Sequence, residues 1–222
     1  MAGREFTHLH LHSQYSLLDG AISFGRLFKR CGELNMPAVA MTDHGNMFGA
    51  IEFYTAAHKA HIKPIIGIEA YITPGSRFDK NKSSISDAAY HLILLAENLT
   101  GYKNLIKLAS AGYTEGFYYR PRIDKEILAQ FNEGLICTTA CLKGEVGMLL
   151  CNNDEAGAKT AAESFLKIFG EKRFFIELQH HAQSDMPDMR KPLADFARKL
   201  GIGTVAANDV HFLNEDDWEA HN

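Results

Sequence analysis

Seven short apolar runs punctuate the chain, at about 7–12, 38–43, 64–72, 91–96, 134–140, 173–179 and 203–210. They are rich in Val, Ile, Leu and Thr, and their length predicts buried strands. Between them apolar residues recur at helical spacing, over 23–35, 48–60, 101–111, 144–151, 154–170 and 190–201. Gly170 and Gly201 stand where a helix end favours a left-handed residue, and Asp124 and Asp154 where a helix start favours a carboxylate. Strand–helix alternation predicts a mostly parallel sheet. Seven strands are one short of the common closed α/β barrel, so a distorted (β/α)7 barrel or an incomplete closure is expected. The segment 74–90 is polar, Ser/Lys-rich and aperiodic, which predicts a mobile loop or lid. No repeat or linker interrupts the pattern, and residues 1–222 are expected to form a single domain. The final LNEDDWEAHN begins an acidic, helix-like stretch and stops, the pattern of a chain cut from a longer one.

Composition narrows the function classes. The apolar share is 46% and the charged share 23%, as in ordinary globular proteins. The formal charge of −4 argues against a broad basic surface gripping a phosphate backbone. It leaves room for nucleic acid delivered to a metal-lined pocket, where the cations supply positive charge. Cys31, Cys137, Cys141 and Cys151 make no CxxC pair and no secreted disulfide pattern. MAGREFT is not a secretory leader, and no run approaches the roughly 20 apolar residues that span a bilayer. A cytoplasmic protein with free thiols and no membrane partner is expected.

The candidate chemistry lies where the strands end. His10 and His12 close the first run, Asp43 and His44 the second and Glu69 the third; Cys141 follows the fifth, and Asp209 and His211 the last. In a parallel barrel all strand C-termini face one rim, so these groups can converge there. His8, His10 and His12 share one face of an extended segment, and imidazoles at i and i+2 form a natural chelate. An isolated HxH pair is weak evidence; DH and DVH at two further strand ends strengthen it, with His8 left as a hydrogen-bonded wall residue. Glu69 follows IIGI, where a buried carboxylate is costly unless paired or metal-bound. Taken alone, Asp19 in SLLDG reads as a turn residue and Cys141 as a small buried apolar group. His91 begins its run, so in an all-parallel barrel it would sit at the opposite rim.

The runs HLHLHSQYSLLDG, MTDHGNMFGAIEFY, KPIIGIEAYI, HLILLAENLTGYKNL, GFYYRPRID, CLKGE and ANDVHF occur in this order. Together they closely resemble the polymerase and histidinol phosphatase (PHP) domain, in particular the version at the N-terminus of bacterial replicative DNA polymerase alpha subunits. The resemblance covers essentially all 222 residues. It implies a distorted seven-stranded β/α barrel holding two to three divalent ions (Zn, Mn or Fe). The implied ligands are His10, His12, Asp19, His44, Glu69, His91, Cys141, Asp209 and His211. His10, His12, Glu69 and Asp209 would hold one ion, Glu69, His91 and Cys141 a second, and Asp19, His44 and His211 a third. Asp43 is left to orient a ligand or the backbone of His44.

The same resemblance implies phosphodiester hydrolysis by a metal-activated water, with Asp209, His211, Glu69 and His12 as catalytic residues. In a replicase this means 3′–5′ exonuclease proofreading, with a DNA 3′ end, polymerase core domains and replisome subunits as partners. A non-catalytic, metal-stabilised scaffold is one alternative. A free-standing phosphatase for a metabolite such as histidinol phosphate is another, disfavoured by GFYYRPRID and CLKGE. The chain carries no set of polymerase carboxylates, so polymerisation would belong to a longer parent. Arg120 and Arg122 can grip a phosphate with Tyr118 and Tyr119 stacking a base, or can form an ordinary aromatic-basic loop before the helix at Asp124. His180 and His181 either line the pocket or cap a loop.

Overall fold

In the computed structural model, residues 6–81, 89–180 and 187–217 are described. The strands are β1 (Ala38–Met41), β2 (Lys63–Ile72), β3 (Tyr90–Ala96), β4 (Arg122–Ile123), β5 (Leu135–Thr138), β6 (Phe174–Gln179) and β7 (Gly203–Ala207). The helices are α1 (Phe24–Glu33), α2 (Ala50–Lys59), α3 (Leu99–Thr114), α4 (Lys125–Gln130), α5 (Glu145–Cys151), α6 (Glu155–Phe169) and α7 (Arg190–Leu200). Local chemistry sets several boundaries. The Asp124 carboxylate accepts from Ile127 N at 3.0 Å, and the Asp154 carboxylate from Gly157 N at 2.8 Å. Gly170 and Gly201 take φ of 75° and 68°, the left-handed region that ends a helix without a Cβ penalty. Helix α3 starts earlier than its apolar spacing suggests because the Asn98 side chain caps it, accepting from Gly101 N at 3.0 Å.

The sheet runs β1-β2-β3-β5-β6-β7, with β4 alongside β2. Pairs β1–β2, β5–β6 and β6–β7 are parallel, whereas β3 is antiparallel to both β2 and β5. The expected first strand is instead a bridging segment. Ala40 N donates to His8 O at 2.8 Å on one side, and His12 N to Val210 O at 2.8 Å on the other. Residues 8–12 therefore join β1 to the end of the last strand and link the two edges of the sheet. No regular ladder forms along β1: Ala40 N and Thr42 N donate to His8 O and Leu11 O, acceptors three residues apart instead of two. The Thr42 hydroxyl adds bonds to Leu11 N and Leu11 O, at 2.9 and 3.1 Å. The result is a mixed sheet curled into a distorted barrel.

Apolar packing fixes this cup from outside and from below. Phe165, Phe174, Leu94, Leu105, Leu128 and Ile176 pack between the sheet and α3, α4 and α6. Phe24, Phe28, Phe53, Val39 and Met41 do the same under α1 and α2. Each such fully buried side chain contributes about 1.5–3 kcal/mol. A small separate cluster of Ala40, Ile93, Leu95 and Ala140 plugs the interior. Among the described residues no helix is long and apolar enough to cross a membrane.

Candidate metal centre

Register explains how the polar groups meet above that plug. Glu69 pairs with Ile93 and Tyr71 with His91 across β2 and β3, so side-chain alternation puts all four on one face. Because β3 is antiparallel, its N-terminal end lies at the rim where the parallel strands finish. His91 is thus brought to the same rim as the others, contrary to the all-parallel expectation. The remaining groups come from loops. Asp209 has φ 51°, and Leu18 and Ala140, which precede Asp19 and Cys141, have φ 65° and 57°. Left-handed non-glycine residues cost on the order of 1–3 kcal/mol each and persist where surrounding structure over-determines them.

Glu69 is the hub. It is fully buried, with Oε1 2.8 Å from His91 Nδ1 and 3.4 Å from His10 Nε2, and Oε2 3.4 Å from His12 Nε2. His44 Nδ1 approaches the same Oε2. Asp209 Oδ1 lies 3.1 Å from His10 Nε2 and 3.2 Å from His12 Nε2. Asp19 Oδ2 lies 2.6 Å from His44 Nε2 and 3.2 Å from His211 Nε2. Cys141 Sγ is 3.8 Å from His91 Nδ1. All nine side chains singled out from the sequence are therefore joined by short contacts.

The second nitrogens of three imidazoles decide what faces inward. His10 Nδ1 sits 2.7 Å from Glu177 Oε1, and His211 Nδ1 sits 2.9 Å from the carbonyl of Asp209. Both partners only accept; the Gln179 amide nitrogen also lies 3.2 Å from His10 Nδ1, but it donates to Glu177 Oε1 at the shorter 2.7 Å, so both Nδ1 atoms carry the proton. Ser16 Oγ donates to Asp43 at 2.8 Å, so at 3.0 Å from His12 Nδ1 it accepts. Each ring then presents Nε2 to the cluster, and His10 Nε2 and His12 Nε2 stand 3.1 Å apart. Asp43 also accepts from Ser13 N and Ser13 Oγ, at 2.6 and 2.8 Å, and Ser16 Oγ accepts from His44 N at 3.1 Å. Asp43 thus anchors the loop that carries His12 and His44 without touching either ring.

Electrostatics favour a cation at this point. Burial disfavours the His10 imidazolium, yet Asp209, Glu177 and Glu69 together hold its pKa well above the usual value. His12 faces a serine instead of a carboxylate there, and burial lowers its pKa. His44, partly buried but wedged between Asp19 and Glu69, is raised to about 9. Burial resists ionisation of Glu69 and Asp209, but the surrounding imidazoles hold both carboxylates below their usual range. Burial, with the charges of Glu69 and Asp209, pushes the Cys141 thiol far up.

The fit of a metal can be judged from unmet atoms. His44 Nδ1, Glu69 Oε2 and Asp209 Oδ1 are buried without a hydrogen bond, although nitrogens and oxygens crowd around them. Close approach without hydrogen-bond alignment is what lone pairs aimed at common points produce. Three groups are spaced to hold an ion, His10/His12/Glu69, His44/Glu69/His91 and His12/His44/His211, with ligand atoms within 4.8 Å of one another. Mixed imidazole and carboxylate donors with one thiol suit borderline divalent metals.

Other expected residues lie differently. Arg120 is exposed and donates to the Tyr71 hydroxyl at 3.1 Å; the Tyr71 ring stacks on His44 at 6.0 Å and meets His91 edge-on at 5.3 Å. Arg122, expected beside it as a phosphate contact, is fully buried and donates to the carbonyls of Gly116, Asp79 and Arg77 at 3.0, 2.7 and 3.3 Å. Its guanidinium, also over the Tyr118 ring at 5.1 Å, is a structural post rather than a surface cation. Tyr119 is exposed and meets Tyr118 edge-on. His8 is partly buried with Nδ1 unpaired, outside the cluster. His180 is exposed beyond β6, whereas His181 and residues 82–88 of the expected lid lie outside the described residues. Sequence reasoning missed Glu177, although FFIEL carries the same signal as IIGIE, a lone carboxylate in an apolar strand.

The fold and site together define a distorted β/α barrel that gathers side chains able to ligate a metal on one rim. The chain belongs to the PHP domain family, which it matches over residues 8–181. It is similar to the DNA polymerase III subunit alpha of Borreliella burgdorferi, 50% identical over 215 residues that cover 97% of this chain and 19% of that protein. The same subunit of Thermus aquaticus is 47% identical over 98% of this chain and 18% of the relative. The chain thus spans about a fifth of the length of the curated relatives it matches. Its fold is similar to an amidohydrolase from Chromobacterium violaceum (TM-score 0.54, 15% identity, covering 92% of this chain and 87% of that one). A protein described as a metal-dependent phosphoesterase from Bifidobacterium adolescentis is also similar (TM-score 0.50, 13% identity, covering 95% and 89%).

Proposed function

We propose that this chain is the metal-dependent phosphoesterase module of a bacterial replicative DNA polymerase alpha subunit, and that it removes nucleotides from DNA 3′ ends. The observation that carries the reading is the hub at Glu69, a buried carboxylate in contact with His10, His12, His44 and His91 and ringed by Asp209, Asp19, His211 and Cys141. Two to three divalent ions would be held by the three groups of side chains, with Glu69 shared between two of them. Bound there, such ions lower the pKa of a water and neutralise phosphate oxygens.

The protein's own residues do the rest. Glu177, Ser16 and the Asp209 carbonyl hold His10, His12 and His211 with Nε2 inward. The Tyr71 hydroxyl stays protonated, its pKa pushed up further to about 12 by burial, and can donate to a phosphate oxygen. Arg120, exposed beside it, supplies the positive charge that a phosphodiester needs. Residues 1–222 would act as one domain of a longer polypeptide, with the polymerase core and other replisome subunits as partners.

The test is trimming of a 3′-labelled single strand in the presence of Mn2+ or Zn2+, by wild type and by Asp209→Asn. Metal-dependent trimming lost in the variant supports the reading. If both proteins are inert while metal still raises the melting temperature, the centre serves as a scaffold. Hydrolysis of histidinol phosphate without nuclease activity would assign it to small phosphomonoesters.

A further inference from the structure

We propose that Glu177 is a positioning residue of this centre, whose carboxylate fixes the His10 ring with Nε2 turned toward Glu69 and Asp209. This rests on the metal-binding reading above. Glu177 lies on β6, and strand alternation puts it with Gln179 on the interior face, while Ile176 packs in the outer core. It is only 2% exposed. Among the described residues its one cationic ion-pair partner is His10. A carboxylate so buried without Lys or Arg is costly unless it has a specific task.

Its oxygens are nevertheless fully engaged. Oε1 accepts from His10 Nδ1 at 2.7 Å and from Gln179 Nε2 at 2.7 Å, and Oε2 accepts from the Thr138 hydroxyl. The backbone adds a tie, since Glu177 N donates to Thr139 Oγ1 at 3.0 Å. The carboxylate is therefore clamped from β5 and β6 before it reaches the histidine. The other two fixed imidazoles lean on neutral acceptors, His12 on Ser16 Oγ and His211 on a carbonyl. His10 alone of the three leans on an anion, which raises the electron density at its inward nitrogen. Histidine ligands backed by carboxylates are oriented and made more basic in this way.

The experiment is a zinc competition titration against a chromophoric chelator. Wild type, Glu177→Gln, Glu177→Leu and the surface control Glu155→Gln are first stripped of metal. Metal-free melting curves are recorded in parallel. Glu177→Leu is expected to weaken the tightest zinc site about 10–100-fold. Glu177→Gln keeps an acceptor oxygen without the charge and is expected to recover most of that loss, ending roughly three- to tenfold below wild type with a near-native metal-free melting temperature. The control should match wild type. If Glu177→Leu does not fold, Glu177→Gln decides alone. Zinc affinity in Glu177→Gln equal to wild type overturns the proposal while leaving the metal centre standing. Failure of wild type itself to take up zinc, manganese or iron overturns both.

Discussion

Replacing Arg122 by Met separates a structural post from a nucleic-acid contact. The guanidinium is fully buried and donates to three carbonyls, Asp79 at 2.7 Å, Gly116 at 3.0 Å and Arg77 at 3.3 Å. Methionine fills much of the alkyl volume but leaves these acceptors without a donor. Hydrogen bonds to a charged group are each worth about 1.5–3 kcal/mol, and bonds that share one donor group do not add fully. A net loss of roughly 3 kcal/mol is expected. At roughly 2–4 °C per kcal/mol for a chain of this size, the melting temperature should fall by about 6–12 °C. Thermal unfolding followed by circular dichroism, with chelator present so that metal does not mask the effect, measures this directly. A melting temperature within about 2 °C of wild type, together with weaker single-strand binding, would refute the assignment of Arg122 to the interior framework.

Arg120→Ala should leave the melting temperature unchanged and weaken binding of a short single strand about tenfold by fluorescence anisotropy, as loss of one well-placed phosphate contact does. In the metal-free protein, His44 is raised from 6.5 to about 9, so its contribution to stability is fully present below pH 6.5 and is lost as pH rises through 9. Metal needs the neutral ring, so zinc affinity should increase over the same window; parallel melts and titrations between these limits should show opposite slopes. Gly45→Ala should destabilise by about 1–3 kcal/mol in chemical denaturation. There φ is +62° and an added Cβ would meet Pro121 Cγ at 2.7 Å and the Tyr71 ring at 3.0 Å. An unchanged denaturation midpoint would show that this turn relaxes freely.

Much of this architecture was legible in the sequence because local physics wrote it there. The apolar runs and the caps at Asp124, Asp154, Gly170 and Gly201 depend on near neighbours, and they fall where the pattern places them. What depends on distant partners was not legible. The direction of β3 is set by its pairing with β2 and β5, and with it the rim on which His91 lies. The segment 8–12 reads as a strand by composition, but it meets β1 through His8 O and Leu11 O, out of the two-residue step of a regular ladder. Strand β4 is two residues long, too short for any periodic signal. Arg122 looks like a surface cation beside Arg120, yet the chain turns through a left-handed residue at Tyr119 (φ 59°) and β4 pairs with β2, which holds Arg122 in the interior. At the centre, strand-end imidazoles and carboxylates pointed to one cup on their own. The places of Asp19, His91 and Cys141 came from the family resemblance, because a turn aspartate, a strand-start histidine and a lone cysteine carry no local signature.

The central claim, that these nine side chains form a multinuclear metal centre, is tested most directly by elemental analysis of the purified chain, compared with Glu69→Gln. Glu69 touches four imidazoles and is shared by two of the three groups spaced to hold an ion. Wild type should carry two to three equivalents of Zn, Mn or Fe, and the variant should lose at least one of them. Less than one equivalent in wild type after incubation with these metals would contradict the account.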